Sequence, residues 1–251
     1  MAVLDKDEVF FMQWLHNGKD FFLDLMFPHA CVNCRKLGEI LCVSCKIKVE
    51  RIPPSCFVCK KLVPWKKGVA PGRTCVECRK KSFISAFFSP FSYDFPTIRE
   101  MIHALKFQRT TQAGDLLGVL LADTSIYFEA SFPENGIVVP MPLHKKRKRT
   151  RGFNQSEVLA KSFLKQLSSP LLLETNVLMR SKNTQPQTLL SGEERKKNVH
   201  DAFFVSDQEK ISGKTVILFD DVKTTGSTME SAARALKVAG AKEIWAITVA
   251  H

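Results

Sequence analysis

The stretch "VILFDDVKTTGSTMESAARALKVAGA", residues 216–241, decides the fold. It opens on Val216, Ile217, Leu218 and Phe219, an unbroken apolar run of the kind a strand buried on both faces requires. Asp220 and Asp221 stand at its end, and adjacent carboxylates repel unless something cationic or rich in hydroxyls is held beside them. "VKTTGST" then turns the chain, with Gly226 free to take a backbone conformation closed to other residues. From Ser227 the apolar spacing is helical, and Gly240 ends the helix. Strand, glycine turn and helix in this order predict a phosphate cradle. It is built from backbone N–H groups around Gly226, the hydroxyls of Thr224, Thr225, Ser227 and Thr228, and the positive end of the helix. The Gly-Lys-Ser/Thr element of a Walker loop is missing. The carboxylates suit a ribose one sugar away from the phosphate, through its hydroxyls or through Mg2+. The plain alternative is an acidic strand end that caps the helix.

Outward from this stretch the same alternation continues. "ISAFFSPFSYD" reads as strands around a turn, "TIREMIHALKF" and "DLLGVLLADTSIYF" as helices, and "GIVVPMP" as a buried strand. "NQSEVLAKSFLKQL" reads as a helix capped by Asn154, and "EIWAITVA" as a last strand. Strand and helix in alternation predict an α/β parallel sheet covered by helices, with ligands at the carboxyl ends of its strands. A second loop reaches that edge. In "PMPLHKKRKRTRGFNQS", residues 140–156, six cations crowd together: Lys145, Lys146, Arg147, Lys148, Arg149 and Arg151. A pyrophosphate or a nucleic-acid backbone would relieve their repulsion, and a solvated basic loop is the plain alternative.

All eight cysteines fall in four CxxC pairs before the α/β region: Cys31 with Cys34, Cys42 with Cys45, Cys56 with Cys59, and Cys75 with Cys78. Tetrahedral zinc takes four thiolates, so two pairs share one ion. The spacing from Cys59 to Cys75 fits the last two pairs sharing a zinc and the first two sharing another; an interleaved pairing also satisfies the sequence. Zinc in a reducing cytosol is preferred over disulfides, because the chain opens without a secretory signal. Two tetrathiolate zinc sites each add two negative charges, taking the formal +12 to about +8. The protein stays basic, which favours anionic partners. A basic face on the cysteine segment, with Phe57 and Trp65 available to stack on bases, is compatible with nucleic acid and equally with a plain scaffold.

With 45% hydrophobic and 25% charged residues, the 251-residue chain has the composition of a soluble globular protein with one main domain and an appendage. Val9, Trp14, Phe21 and Leu25 recur at helical spacing, so residues 1–27 read as an amphipathic helix packed on the protein. Charges interrupt its apolar residues, so neither a signal peptide nor a membrane span is expected. The expected organisation is this helix at 1–27, a cysteine-rich zinc module at 28–81, and an α/β domain at 82–251.

"VILFDDVKTTGST" resembles the phosphoribosyl pyrophosphate (PRPP) signature of type I phosphoribosyltransferases. Together with four CxxC pairs, "VVPMPLHKKRKRTRGFNQS", "NTQPQTLLSGEERKKNVHDAF" and "IWAITVA", it makes nearly the whole chain from Pro28 resemble the ComF family. The resemblance implies a type I phosphoribosyltransferase-like sheet and PRPP bound with Mg2+. It also implies a role in the uptake of single-stranded DNA during natural transformation, beside DNA-uptake proteins, in the cytoplasm at or near the inner face of the membrane. By the same resemblance, Asp220 and Asp221 meet the ribose and Mg2+, Thr224, Thr225, Gly226, Ser227 and Thr228 hold the 5′-phosphate, and Arg147 and Arg151 face the pyrophosphate. The segment with Gln185, Gln187, Arg195 and Asn198 resembles the loop that covers the ligand. His251 departs from the family, whose members commonly carry Arg there. Two rival functions are an active enzyme of amidophosphoribosyltransferase type, transferring ribosyl phosphate to a nitrogen acceptor, and a structural adaptor for the uptake machinery.

Overall fold

A computed structural model describes residues 30–63, 70–108, 110–180 and 202–251. The helix expected over 1–27 lies outside the described residues, as do Trp65 and the covering segment with Gln185, Gln187, Arg195 and Asn198. The chain forms two compact units, Met1–Val49 and Glu50–His251. The seam therefore falls between the two halves of the cysteine-rich segment. The first unit carries Cys31 to Cys45 and a short helix, α1 (Val43–Lys46). The second unit carries the remaining cysteines, the short helix α2 (Val76–Arg79) and the whole α/β sheet.

The sheet is parallel, with strands β1 (Ala86–Phe88), β2 (Ile137–Pro140), β3 (Leu172–Leu173), β6 (Thr215–Val222) and β7 (Glu243–Ala250) in the spatial order β1-β7-β6-β2-β3. A separate antiparallel pair is formed by β4 (Leu178–Arg180) and β5 (Phe203–Val205). The helices are α3 (Pro96–Phe107), α4 (Thr111–Tyr127), α5 (Lys145–Arg151), α6 (Gln155–Gln166) and α7 (Ser227–Val238). In β6 the period of two sends Val216 and Leu218 into one apolar cluster with Met229, Ala232 and Leu236 of α7. Phe219 packs the other way, its ring 5.4 Å from Phe163 of α6. Both faces of the strand are thus covered by helices, which is why its apolar run is unbroken.

The order of strands positions the site. From β2 the chain goes outward to β3 and later returns on the other side of β2 as β6. Such a reversal leaves a crevice at the carboxyl ends of the two neighbouring strands. Pro140 stands opposite Phe219 in register, so the ends of β2 and β6 lie side by side.

Two expectations are corrected. "ISAFFSPFSYD" does not fold back on itself: Ala86–Phe88 runs parallel to β7, and after the break at Pro90 the chain pairs with β7 again, in parallel, at Phe91 and Ala250. Proline lacks the ladder donor, so it interrupts the strand without reversing it. The basic stretch after β2 is helical over Lys145–Arg151 rather than a loop. Straight-chain Lys and Arg lose little side-chain freedom in a helix, and that preference prevails over their mutual repulsion. No helix among the described residues is long and apolar enough to cross a membrane.

Helices α4 and α6 meet closely through small residues. A Cβ on Gly118 would lie 2.5 Å from Ser162 Cβ and 2.9 Å from Leu159 O. Gly118→Ala is therefore expected to overpack this crossing and lower the unfolding free energy by about 1–3 kcal/mol, read from urea titrations of the metal-loaded chain.

Candidate functional site

The carboxylates emerge where β6 leaves the sheet. Asp220 is half-buried and Asp221 is buried. Oδ1 of Asp220 accepts from Ser156 Oγ at 2.8 Å and from the Asp221 N–H at 2.9 Å. Ser156 lies in the first turn of α6, whose N-cap Asn154 accepts from the Ser156 N–H at 3.2 Å and donates through Nδ2 to Met141 O at 3.1 Å. The expected cap at Asn154 thus forms, and it also ties α6 to the end of β2. Asp221 Oδ1 pairs with Lys106 Nζ at 2.7 Å, an ammonium from the last turn of α3. Burial first, and the charge of Asp221 second, push the Asp220 carboxyl up to about 7; the Ser156 and backbone hydrogen bonds and Lys106 act in the opposite sense.

Beyond Val222 the loop turns through Gly226 at φ +80°, a left-handed conformation, and Gly226 is the N-cap of α7, with no side chain of its own to cap the helix; the Ser227 N–H donates to Thr225 Oγ1 at 3.4 Å. The hydroxyls of Thr225 and Ser227 are 2.9 Å apart, and Thr224, Thr225 and Thr228 are exposed. A helix N-terminus that starts at a glycine N-cap and is flanked by hydroxyls, at the carboxyl edge of a parallel sheet, has the chemistry of an anion site.

Helix α5 delivers the arginines. Arg147 is exposed; Arg151, one turn later, places its guanidinium 5.7 Å from the centre of the Phe107 ring. Burial holds the Arg151 pKa below its ordinary range, against the charge of Asp221 and with that of Arg147. Arg151 and Asp221 therefore act on one another, and Arg147 acts on Arg151. Arg180, at the end of β4, joins them: burial and Arg147 lower its pKa while Asp220 opposes. Lys106, Ser156 and Arg180 were missed by the reading of the sequence. Lys106 and Arg180 lie in segments with no motif of their own, and only Ser156 had a signal, its place beside the Asn154 cap.

The cysteines gather into two tetrads, Cys31, Cys34, Cys42 and Cys45 in one unit and Cys56, Cys59, Cys75 and Cys78 in the other, with all Sγ atoms of each within 4.8 Å of one another. Each can hold a metal ion. Sulfurs about 2.3 Å from a tetrahedral zinc stand about 3.8 Å apart. Cys34 and Cys42 are separated by 3.6 Å, and Cys75 lies 3.9 Å from both Cys56 and Cys59. The donor sets fit zinc, paired in sequence order rather than interleaved.

The same turn is built twice. Cys31 N–H donates to Lys36 O and Cys56 N–H to Lys61 O, while Arg35 and Lys60 take positive φ values of 64° and 61° at matching places. Burial opposes ionisation of Cys31 and Cys56, yet backbone N–H groups hold each thiol down at about 6. Cys31 is served by Cys34, Cys42 and Asn33, and Cys56 by Cys59, Cys75 and Val58.

The raised Asp220 pKa has a consequence for stability. The folded chain keeps this proton up to about pH 7, while an unfolded aspartate releases it near pH 4. Protonation therefore favours the fold, and the Asp220 contribution is lost as pH rises from about 4 to about 7. Asp220→Asn is expected to remove this part of the slope, read by comparing urea midpoints of both proteins at about pH 5 and about pH 8.

Comparison with known proteins agrees with this geometry. Residues 154–251, from the cap of α6 to the end of β7, match the phosphoribosyl transferase domain. The chain is 27% identical to competence protein F of Haemophilus influenzae over 87% of this chain and 95% of the relative. It is 27% identical to competence protein ComFC of Bacillus subtilis over 80% and 79%. It is 26% identical to the DNA utilization protein YhgH of Escherichia coli over 87% and 88%. Among solved structures, the allosteric regulatory enzyme of purine biosynthesis is similar over 56% of this chain and 26% of that one, at 18% identity and a TM-score of 0.37. The parallel sheet with flanking helices is a type I phosphoribosyltransferase-like fold. By these relationships the chain is a homologue, over most of its length, of the competence protein F, ComFC and YhgH proteins, and it carries a phosphoribosyl transferase domain.

Proposed function

We infer that this protein binds PRPP with Mg2+ in the crevice between β2 and β6 and acts in the handling of single-stranded DNA during natural transformation. The observation that carries the PRPP reading is the carboxylate pair running straight into a hydroxyl-rich helix N-terminus opened by Gly226. The names of the competence and DNA-utilization relatives support the cellular role. Asp220 and Asp221 accept the ribose hydroxyls; Thr224, Thr225, Gly226, Ser227 and Thr228 hold the 5′-phosphate; Arg147 and Arg151 face the pyrophosphate. The ammonium paired with Asp221 supports a cation at the pair, and Mg2+ held there would offset the charge of the pyrophosphate. Zinc occupies both cysteine tetrads and supports the fold. The division into a helix at 1–27, a zinc module at 28–81 and an α/β domain at 82–251 belongs to this proposal, as does a cytoplasmic location near the inner face of the membrane.

The match to the phosphoribosyl transferase domain favours a second reading, transfer of the ribosyl phosphate to a nitrogen acceptor. In that reaction the bond from C1 to the pyrophosphate oxygen breaks, a C1–N bond forms, and the acceptor loses a proton to water. The chain's own contribution is to position the ribose and stabilise the leaving charge.

Calorimetry with PRPP and Mg2+ tests the reading. The native chain is expected to bind, and Asp220→Asn with Asp221→Asn to bind at least tenfold more weakly; absence of binding by the native chain would refute it. Pyrophosphate release across a panel of amine acceptors would move the conclusion to the enzyme. Single-stranded DNA is expected to bind with an affinity that falls steeply with salt, by a slope of about −0.7 per phosphate contact. Replacing Arg147 and Arg151 by Ala should weaken both ligands if one groove serves both, and PRPP alone if the grooves are separate.

A further inference from the structure

The second cysteine tetrad is built into the anion loop. Phe57, the residue after Cys56, is buried, and its ring lies against Gly226: a Cβ there would stand 2.8 Å from Phe57 Cζ and 3.1 Å from Lys223 Cε. Gly226 is thus required twice, by its positive φ and by the aromatic ring seated on it. Lys223, in the same loop, is 5% exposed, with Nζ 4.8 Å from the centre of the Phe57 ring and 5.4 Å from that of Phe87. The Phe57 and Phe87 rings meet edge to face at 5.2 Å. Among the described residues no carboxylate pairs with Lys223. Burial and Lys60 disfavour its ammonium, and Cys56 favours it.

The segment that follows the other half of the tetrad holds the first turn of the same helix. Beyond Cys78, Ser82 Oγ and the Phe83 N–H donate to the carboxylate of Glu230, at 2.8 and 2.7 Å, and Glu230 is in the first turn of α7. Before Cys75 the chain is stitched to β1, Phe87 N–H donating to Gly72 O and Thr74 N–H to Ser85 O, both at 2.9 Å. Cys75 and Cys78 are therefore anchored to the sheet and to α7, while Cys56 and Cys59 reach the loop through Phe57. Among the described residues the halves also meet through the Phe57 and Phe87 rings, and an ion held by the four sulfurs would join them directly.

We propose that the Cys56–Cys59–Cys75–Cys78 metal site is a buttress of the anion loop, so that metal held by the tetrad and PRPP held by the loop each strengthen the binding of the other. The mechanism is mechanical and electrostatic. A bound divalent ion fixes Phe57 against Gly226, and the tetrathiolate complex, with net charge of about −2, compensates the buried Lys223 ammonium. Without the metal, Phe57 keeps its packing on Phe87 but loses the link through the sulfurs to Cys75 and Cys78, and among the described residues the Lys223 ammonium faces aromatic rings and no carboxylate. The coupling is reciprocal, as linkage requires. The proposal rests on the reading of residues 220–228 as a PRPP site.

The test uses the full zinc-loaded chain and two readouts, PRPP affinity by calorimetry and zinc release to a chromophoric chelator. Saturating PRPP with Mg2+ is expected to slow release of one zinc per chain by roughly tenfold and to leave the other unchanged. Phe57→Leu keeps the site apolar and all eight cysteines; it should weaken PRPP binding by roughly tenfold and abolish the protection of zinc. Cys31→Ser, in the other compact unit, should leave PRPP affinity unaltered. If the native chain binds PRPP but releases both zincs at the same rate with and without it, or if Phe57→Leu leaves both readouts unchanged, the buttress is overturned while the PRPP reading stands. If the zinc-loaded native chain binds no PRPP, the reading of the site fails and this inference fails with it.

Discussion

Two carboxylates joined by a single peptide unit sit at the end of a strand covered by helices on both faces, and the arrangement around them answers that electrostatic problem. Asp221 is met by an ammonium from α3, and Asp220 by a hydroxyl from the first turn of α6 and by the backbone itself. Burial still raises Asp220 above the ordinary carboxyl range, so the pair is left short of positive charge. A strand end that is short of positive charge, next to a helix N-terminus that favours negative charge, suits a ligand carrying both a metal ion and phosphates. The strand order serves this by bringing the ends of β2 and β6 together.

The cysteine-rich segment has two structural roles rather than one. Its repeated turn, with Arg35 and Lys60 in matching left-handed conformations, makes the two tetrads local copies of each other. Their surroundings differ. The second copy shares a compact unit with the sheet and places Phe57 and Ser82 on the loop and first turn of α7. A metal site that folds a short segment can thereby also shape a neighbouring loop, since the side chains between ligands are held as firmly as the ligands.

The features legible in the sequence were those written in contiguous residues. The apolar runs of β2, β6 and β7, the cap at Asn154, the turn at Gly226 and the CxxC spacings each depend on neighbours a few positions apart. The basic stretch misled because its charge was more conspicuous than its helix propensity, and "ISAFFSPFSYD" misled because Pro90 interrupts a strand in the same way that it opens a turn. Lys106 and Arg180 were silent. A lysine at the end of an amphipathic helix and an arginine at the end of a short strand carry no local sign of the charge they will face.

By itself the sequence determined the parallel sheet, the carboxylate pair and the glycine turn that follows it, and the eight thiols, because apolar period, glycine conformation and ligand spacing are properties of short segments. Only the tertiary structure decided that the tetrads pair in sequence order, that Ser156 and Lys106 serve the two carboxylates, and that Phe57 rests on Gly226. These contacts join residues far apart in the chain, and burial and distance, which set their strength, exist only once the sheet has brought them together.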